Sequence, residues 1–251
     1  MKTLCVSSFK GGTAKTSNSL HIATALAQYH KKKVLLIDFD SQANLTAGLG
    51  FDPDQHDSLA PVLQGEKPIE EVILKTEIKN VDLVPSDSFL ERIETTGALA
   101  NDRYSHEKLK SLLKNLSYDF VLIDTPPSLC WLTESAMIAS DETVISATPE
   151  FYSVKGLERL KLFMEQISKR HPFKVTGVVL SFWNDRGKSN KAFVNLIETI
   201  FPGKLCKTKI RRDVRISDAS IHGQPVFLKW PESRGAKDYR QLTKELLKRL
   251  K

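Results

Sequence analysis

The first residues with the types and spacing of a binding site form a loop rich in glycine and lysine, KGGTAKTS at 10–17. The loop follows the apolar run Leu4-Cys5-Val6, and a helical pattern starts near Lys15. Backbone N–H groups of a loop that opens a helix bind anions, and the helix dipole adds to the attraction. Lys15 is placed to neutralise nucleotide phosphates, and Thr16 to offer its hydroxyl to Mg²⁺. We therefore predict a site for nucleotide phosphates and Mg²⁺, formed by the loop residues Lys10, Gly11, Gly12, Thr13, Ala14, Lys15, Thr16 and Ser17.

The loop departs from the general P-loop pattern GxxxxGK[ST], because Phe9 and Ala14 stand where that pattern requires glycine. What remains is a deviant form, KGGxxKT[ST], with an additional lysine at position 10. A backbone position that needs a positive φ disfavours alanine. The methyl group of Ala14 is therefore expected to crowd the phosphates or to strain the loop.

Carboxylates follow two of the apolar runs. Asp38 and Asp40 end the second run, and alternation along a strand puts them on one face at its carboxyl end. Asp124 follows the four apolar residues 120–123, which is the arrangement that places a carboxylate near Mg²⁺. The predicted Mg²⁺ residues are therefore Thr16, Asp38 and Asp124, partly through water. A simpler alternative for Asp38 and Asp40 is that they cap the following helix.

Short apolar runs rich in β-branched residues alternate with helical patterns along the whole chain. This order predicts a single-domain α/β fold over residues 1–251, with a mostly parallel twisted sheet and helices on both faces. Three cysteines without metal or disulfide spacing indicate neither a zinc site nor a disulfide framework. No apolar run is as long as a membrane span, so we expect a cytoplasmic protein. The predicted strands are 4–6, 34–37, 81–84, 120–123, 144–145 and 175–180.

The loop and the strand-end carboxylates together resemble the ParA/MinD family of P-loop ATPases. The resemblance continues through three further segments, Thr148–Phe151, Ser153–Leu160 and Arg211–Ala219, and covers nearly the whole chain. It is strongest to chromosomal and plasmid partition ATPases of the ParA/Soj type. Ser41 replaces a proline of the family's DxDPQxN segment. Arg211 replaces the first proline of the family's PRNVRLSEAPS segment, so contacts of this loop with the nucleotide base stay open.

The resemblance implies roles for individual residues. Lys10 is expected to act in trans, by reaching the partner's nucleotide across a dimer interface, and Asp40 to orient or activate the attacking water. With Lys15, these are the expected catalytic residues. Asp38 would support Thr16 and the hydrated Mg²⁺. The family further implies an ATP-dependent homodimer, slow ATP hydrolysis and a ParB-like, centromere-binding partner with a basic N-terminal tail.

Positive charge is concentrated in the last fifth of the chain. Residues 203–251 contain 14 Lys/Arg and 5 Asp/Glu, which is +9, whereas the whole chain carries +7. Such a segment indicates contact with a polyanion. Because no base-reading motif accompanies it, we predict nonspecific binding of double-stranded DNA on the nucleoid. The predicted DNA contacts are Lys209, Arg211, Arg212, Arg215, Lys229, Arg234 and Lys237.

Three alternatives remain open. A MinD-like, membrane-associated positioning ATPase requires a C-terminal amphipathic helix with a free apolar face, and the spacing of Tyr239, Leu242 and Leu246 instead indicates a helix packed on the sheet. An iron-sulfur reductase of the same superfamily requires bridging cysteines, and only Cys130 lies near the Asp124 segment. A regulatory protein that binds ATP without hydrolysing it is suggested by Ala14 and Ser41.

Overall fold

A computed structural model of the chain describes residues 1–96, 99, 102–150, 153–187 and 190–250. Phe151 and Lys251, which belong to segments discussed above, lie outside the described residues. The part of the chain that is described forms one sheet of seven strands. The strands are β1 Lys2–Ser7, β2 Val34–Asp38, β3 Leu74–Lys75, β4 Val81–Val84, β5 Phe120–Asp124, β6 Glu142–Ala147 and β7 Lys174–Leu180.

The helices lie mainly between consecutive strands and, after β7, in the C-terminal part. Three short 3₁₀ turns add to them at Pro53–Gln55, Ile69–Val72 and Ser105–Glu107. The α-helices are α1 Lys15–His30, α2 Asn44–Gly48, α3 Leu59–Gln64, α4 Phe89–Thr95, α5 Lys108–Leu113, α6 Trp131–Ala139, α7 Ser153–Ser168, α8 Asn190–Ile200, α9 Val214–Ile221, α10 Val226–Lys229 and α11 Arg234–Arg249.

The strand order in the sheet is β3-β4-β2-β5-β1-β6-β7, and every pair is parallel except β3 with β4. Each predicted strand lies within one of the observed strands. The two-residue β3 was not predicted, because an edge strand of that length has no apolar run of its own. The predicted α/β fold with a mostly parallel sheet is confirmed.

Side chains on the two faces of the sheet belong to two separate cores, because successive residues of a strand point in opposite directions. In β1, Cys5 belongs to the core that includes helices α3 to α8, whereas Leu4 and Val6 belong to the core that includes α1, α2, α9, α10 and α11. The apolar face of α11 is part of the second core. Tyr239, Leu242 and Leu246 are each at most 2% exposed. None of the described helices is both long and apolar enough to cross a membrane.

Candidate nucleotide site

The predicted phosphate loop lies where β1 passes into α1, at the carboxyl edge of the sheet. Gly12 and Ala14 both adopt left-handed backbone conformations, with φ of +72° and +63°. Ala14 is the N-cap of α1, and no side chain caps this helix end. The first-turn N–H groups of α1 therefore have no competing side-chain acceptor at the cap, which is what an anion site requires. Ala14 thus has the positive φ that disfavours alanine.

Lys15 is buried at the start of α1, with 7% of its surface exposed. Its charge acts on two carboxylates that come from different strands, Asp40 and Asp124. Burial raises the pKa of Asp40, while the Gln42 N–H and Lys15 act in the opposite direction. Burial also raises the pKa of Asp124 to about 6, although Lys15, Thr16 and Ser19 lower it. The fold thus brings the predicted lysine and carboxylates into one site.

Asp124 has an oxygen that is suited to bind a metal ion. Its Oδ1 accepts a hydrogen bond of 2.8 Å from Ser19 Oγ, whereas its buried Oδ2 has no hydrogen-bond partner among the described residues. An unpaired buried carboxylate oxygen is costly unless a ligand or water satisfies it. The described residues contain no cluster of three or more metal-ligating side chains. A few carboxylate and hydroxyl ligands, completed by phosphates and water, are what Mg²⁺ prefers.

Asp38 lies next to Asp124 across the β2–β5 pair, and both of its oxygens are already bonded within the chain. Oδ2 accepts from Thr46 N at 2.8 Å and Thr46 Oγ1 at 2.7 Å, and Oδ1 from Asp40 N at 3.3 Å. Burial and the charge of Asp124 raise the pKa of Asp38 to about 7. Because Thr46 belongs to the first turn of α2, Asp38 caps that helix, as the simpler alternative expected. Its place in the Mg²⁺ site stays a prediction.

Lys10 forms an ion pair with Glu150 of its own chain. Glu150 also lines a cleft of about 660 Å³ next to the loop. The segment 182–186 after β7 contributes to this cleft, and the sequence alone did not indicate it because the segment carries no motif. The cleft is lined by Thr148, Pro149, Glu150, Phe182, Trp183, Asn184, Asp185, Arg186, Arg211, Arg212 and Arg234.

Two of the predicted DNA-contact residues are partly buried and hydrogen-bonded within the chain. Arg211 donates three hydrogen bonds to the carboxylate of Asp238, two through its guanidinium and one through its backbone N–H. Lys209 is half-buried and donates to the carbonyls of Cys206 and Lys207. The other five are exposed residues: Arg212, Arg215, Lys229, Arg234 and Lys237.

Further basic residues lie along α11 and were not among the predicted DNA contacts. A groove of about 780 Å³ runs beside this helix and is lined mainly by basic side chains. Within the described part of the chain, Lys207, Lys244 and Lys248 form no ion pair. A helical spacing of three or four residues along α11 is the signal that could have identified them. The basic residues of the groove are Lys207, Lys237, Arg240, Lys244, Lys248 and Arg249.

A mostly parallel sheet with a phosphate loop between its first strand and helix, and carboxylates at the neighbouring strand ends, defines a P-loop nucleotide-binding protein. A family model described as an AAA domain matches residues 1–176. A ParA family protein of Chlamydia trachomatis is 64% identical over 249 residues, 98% of each chain. The chromosome partitioning protein ParA of Caulobacter vibrioides is 34% identical over 254 residues, 99% of this chain and 95% of its own. The chain belongs to the ParA family of P-loop ATPases.

Solved structures agree with this assignment. A complex of Cyanothece McdA with ATP has a TM-score of 0.87 at 25% identity, and the match covers 99% of this chain and 96% of the McdA chain. The septum site-determining protein MinD of Pyrococcus horikoshii, complexed with Mg-ADP, has a TM-score of 0.80 at 28% identity, over 98% of this chain and 95% of its own. The expected resemblance to the ParA/MinD family is confirmed.

Proposed function

We propose that this protein is a DNA-partition ATPase that binds MgATP, pairs with a second copy around it, holds DNA without sequence preference and releases it on hydrolysis. The observation that carries the proposal is the buried Lys15 at the start of α1, beside the unpaired Oδ2 of Asp124. ATP and Mg²⁺ bind relatives of the same fold. When bound, MgATP would supply the γ-phosphoryl group, which passes to water while ADP leaves. The chain's own residues hold the phosphates and exclude bulk water.

The loop residues would hold the phosphates, and the adjacent cleft, whose lining includes Thr148 and Asn184, would receive the base. Lys15→Ala is expected to abolish nucleotide binding, because it removes the buried charge that faces the phosphates. Titration calorimetry with MgATP measures this directly. Lys79→Ala, a change of the same kind at a lysine after β3, serves as the control and should bind like the wild type. Unchanged affinity of Lys15→Ala would exclude the assignment.

Pairing depends on Lys10 in the proposed mechanism. The ion pair with Glu150 is partly exposed, with 31% and 60% of the two side chains accessible, so it contributes at most about 1 kcal/mol. Lys10 can therefore leave Glu150 for the phosphates of a partner's nucleotide. Lys10→Ala is expected to bind ATP and remain monomeric in sedimentation experiments. A Lys10→Ala protein that dimerises with ATP as the wild type does would contradict the role in trans.

Hydrolysis depends on Asp40, whose carboxylate lies within the influence of Lys15 and is 6% exposed. Asp40→Ala is expected to form a stable dimer with ATP and to lose turnover. ATP turnover with and without DNA separates this proposal from a regulatory protein that binds ATP without cleaving it. Normal turnover in Asp40→Ala would exclude its catalytic role. A ParB-like partner with a basic tail is proposed as the stimulus of hydrolysis, as in the family.

DNA binding is assigned to exposed basic residues of the C-terminal part, without Lys209 and Arg211. Arg215 and Lys229 lie over the Trp230 ring, at 5.0 and 4.9 Å from its centroid, so they form one positive patch around it. These contacts would be to phosphates, which fix position and carry little sequence information. Together with the groove beside α11, the proposed surface contains Arg212, Arg215, Lys229, Arg234, Lys237, Lys207, Lys244 and Lys248.

The DNA proposal predicts a strong salt dependence. If a dimer neutralises about 4 to 8 phosphates, log K falls against log salt with a slope of about −4 to −7, and each lost contact makes the slope shallower by about one unit. The test compares Arg215→Glu with wild type on two unrelated duplexes, with ATP and as dimers. Lys110→Glu, the same charge change on α5 at the opposite face of the sheet, is the control. Equal affinity of Arg215→Glu and wild type would remove Arg215 from the surface.

A further inference from the structure

A row of buried hydrogen bonds connects the C-terminal helix α11 with the phosphate loop. The hydroxyl of Tyr239 donates to Asn18 Oδ1 at 2.9 Å. Asn18 Nδ2 donates to Ser146 Oγ at 2.7 Å, and Ser146 Oγ donates to the carbonyl oxygen of Thr13 in the loop. Each of these four residues is at most 1% exposed. The row therefore passes from α11 through α1 and β6 to the loop without contact with bulk water.

The direction of these hydrogen bonds is fixed by the groups themselves. A serine hydroxyl that donates to a carbonyl must accept through its oxygen, so Asn18 turns its NH₂ toward Ser146 and its carbonyl oxygen toward Tyr239. Tyr239 then has to donate. Burial raises the pKa of Tyr239 well above its usual range, so its hydroxyl keeps the proton that it donates. The Tyr239 hydroxyl is thus the donor that completes the row at the α11 end.

A second contact joins the same ring to the loop. The Tyr239 ring stacks on His21, with 4.5 Å between centroids and 13° between planes. Val226 N donates to His21 Nε2 at 3.1 Å, so the proton of the neutral imidazole lies on Nδ1 and is donated to the carbonyl of Ser17 at 2.6 Å. Burial lowers the pKa of His21 to about 4, which keeps the ring neutral. Tyr239 is therefore connected to the loop at two points, through Asn18 and Ser146 to Thr13 and through His21 to Ser17.

We propose that Tyr239 is a positioning residue for the nucleotide, which holds the phosphate loop in its binding conformation through Asn18 and Ser146. This inference rests on the proposed function only in taking the loop as the ATP site. A loop whose N–H groups are already oriented loses less conformational freedom when the phosphates bind, so its affinity is higher. The loop contains Ala14 in a strained left-handed conformation. A strained residue keeps its conformation only when contacts with the surrounding structure hold it there. By linkage, bound nucleotide stabilises the docking of α11 to the same extent.

The test is Tyr239→Phe, which removes one oxygen and keeps the ring. Loss of one buried hydrogen bond is expected to weaken ATP binding about fivefold, with Kd measured by titration calorimetry. Tyr118→Phe is the matched control, because it removes the hydroxyl that donates to Asp82 at 2.7 Å before β5, at the edge of the sheet opposite the loop. The control should bind ATP with unchanged affinity. Wild-type affinity in Tyr239→Phe, or an equal loss in Tyr118→Phe, would overturn the inference.

A double-mutant cycle with Ser146→Ala tests the route. If Tyr239 acts through Asn18 and Ser146, the two substitutions together weaken ATP binding less than the product of their separate effects. Multiplicative effects would overturn the route. Lys15→Ala distinguishes the proposed ATP site from the proposed role of Tyr239. If Lys15→Ala binds ATP normally, the assignment of the loop as the ATP site is wrong. If it abolishes binding while Tyr239→Phe binds like the wild type, only the positioning role is wrong.

Discussion

Replacement of Ala14 by glycine should stabilise the nucleotide-free protein, although it removes a methyl group. Ala14 has φ +63° and ψ +29° at the N-cap of α1. The left-handed conformation costs an L-residue such as alanine about 1–2 kcal/mol, whereas glycine adopts it freely. Glycine loses about 0.5–1 kcal/mol more in conformational entropy on folding. The expected net gain in the free energy of unfolding is about 0.5–1 kcal/mol, which corresponds to about 1–4 °C in Tm for a chain of this size.

Urea denaturation without nucleotide measures this gain. The midpoints of Ala14→Gly and wild type are compared, provided that the free energy of unfolding depends on urea concentration with the same slope in both. Ala25→Gly is the matched control. It makes the same substitution in the interior of α1, where the backbone is an ordinary right-handed helix and the residue is buried. It should destabilise the protein by about 1 kcal/mol or more. If Ala14→Gly destabilises the protein as Ala25→Gly does, the assignment of strain to Ala14 is refuted.

Two further predictions concern the surroundings of the loop. A Cβ at position 156 would overlap the Phe9 ring, which packs on the backbone of α7. Gly156→Ala should therefore lower the free energy of unfolding by about 1–3 kcal/mol and weaken ATP binding. An unchanged urea midpoint would contradict this packing. The pKa of His21 is about 4 when folded and near 6.5 when unfolded, so its stabilising contribution is present above pH 6.5 and lost as the pH falls toward 4. Relative to His21→Gln, the free energy of unfolding of the wild type should fall by about 1.4 kcal/mol per pH unit between pH 6.5 and 4. A difference in free energy of unfolding between the two proteins that is the same at about pH 8 and about pH 5 would contradict this reasoning.

The position of the predicted phosphate loop between β1 and α1 could be read from the sequence because its parts are local. The loop, the helix start at Lys15 and the preceding strand occupy fewer than about twenty consecutive residues, and a loop between a strand and a helix has few possible geometries. Asp124 was also predictable. A carboxylate after four buried apolar residues of a parallel strand must lie at the carboxyl edge of the sheet, where the loop also lies.

The partners of individual side chains were less predictable. Asp38 was expected near Mg²⁺, and the sequence could not tell that Thr46 and the Asp40 N–H already use both of its oxygens. Arg211 was predicted to contact DNA, and the sequence could not show that it pairs with Asp238, 27 residues later. Short carboxylates and long basic side chains have many possible partners, and packing selects among them. A charge count locates a basic segment without showing which of its charges are already paired.

The amino-acid sequence by itself determined the order of strands and helices, the buried character of the sheet and the position of the phosphate loop. Apolar periodicity and the glycine and lysine spacing are properties of neighbouring residues, so they can be read without a fold. Only the tertiary structure decided the contact of Tyr239 with Asn18, which are 221 positions apart, and the link of Ser146 to Thr13, which are 133 apart. Contacts of this range form because the β1–β6 pair and the packing of α1 on α11 bring distant segments together. No local pattern records them, and so the connection between α11 and the nucleotide site is visible only in the folded chain.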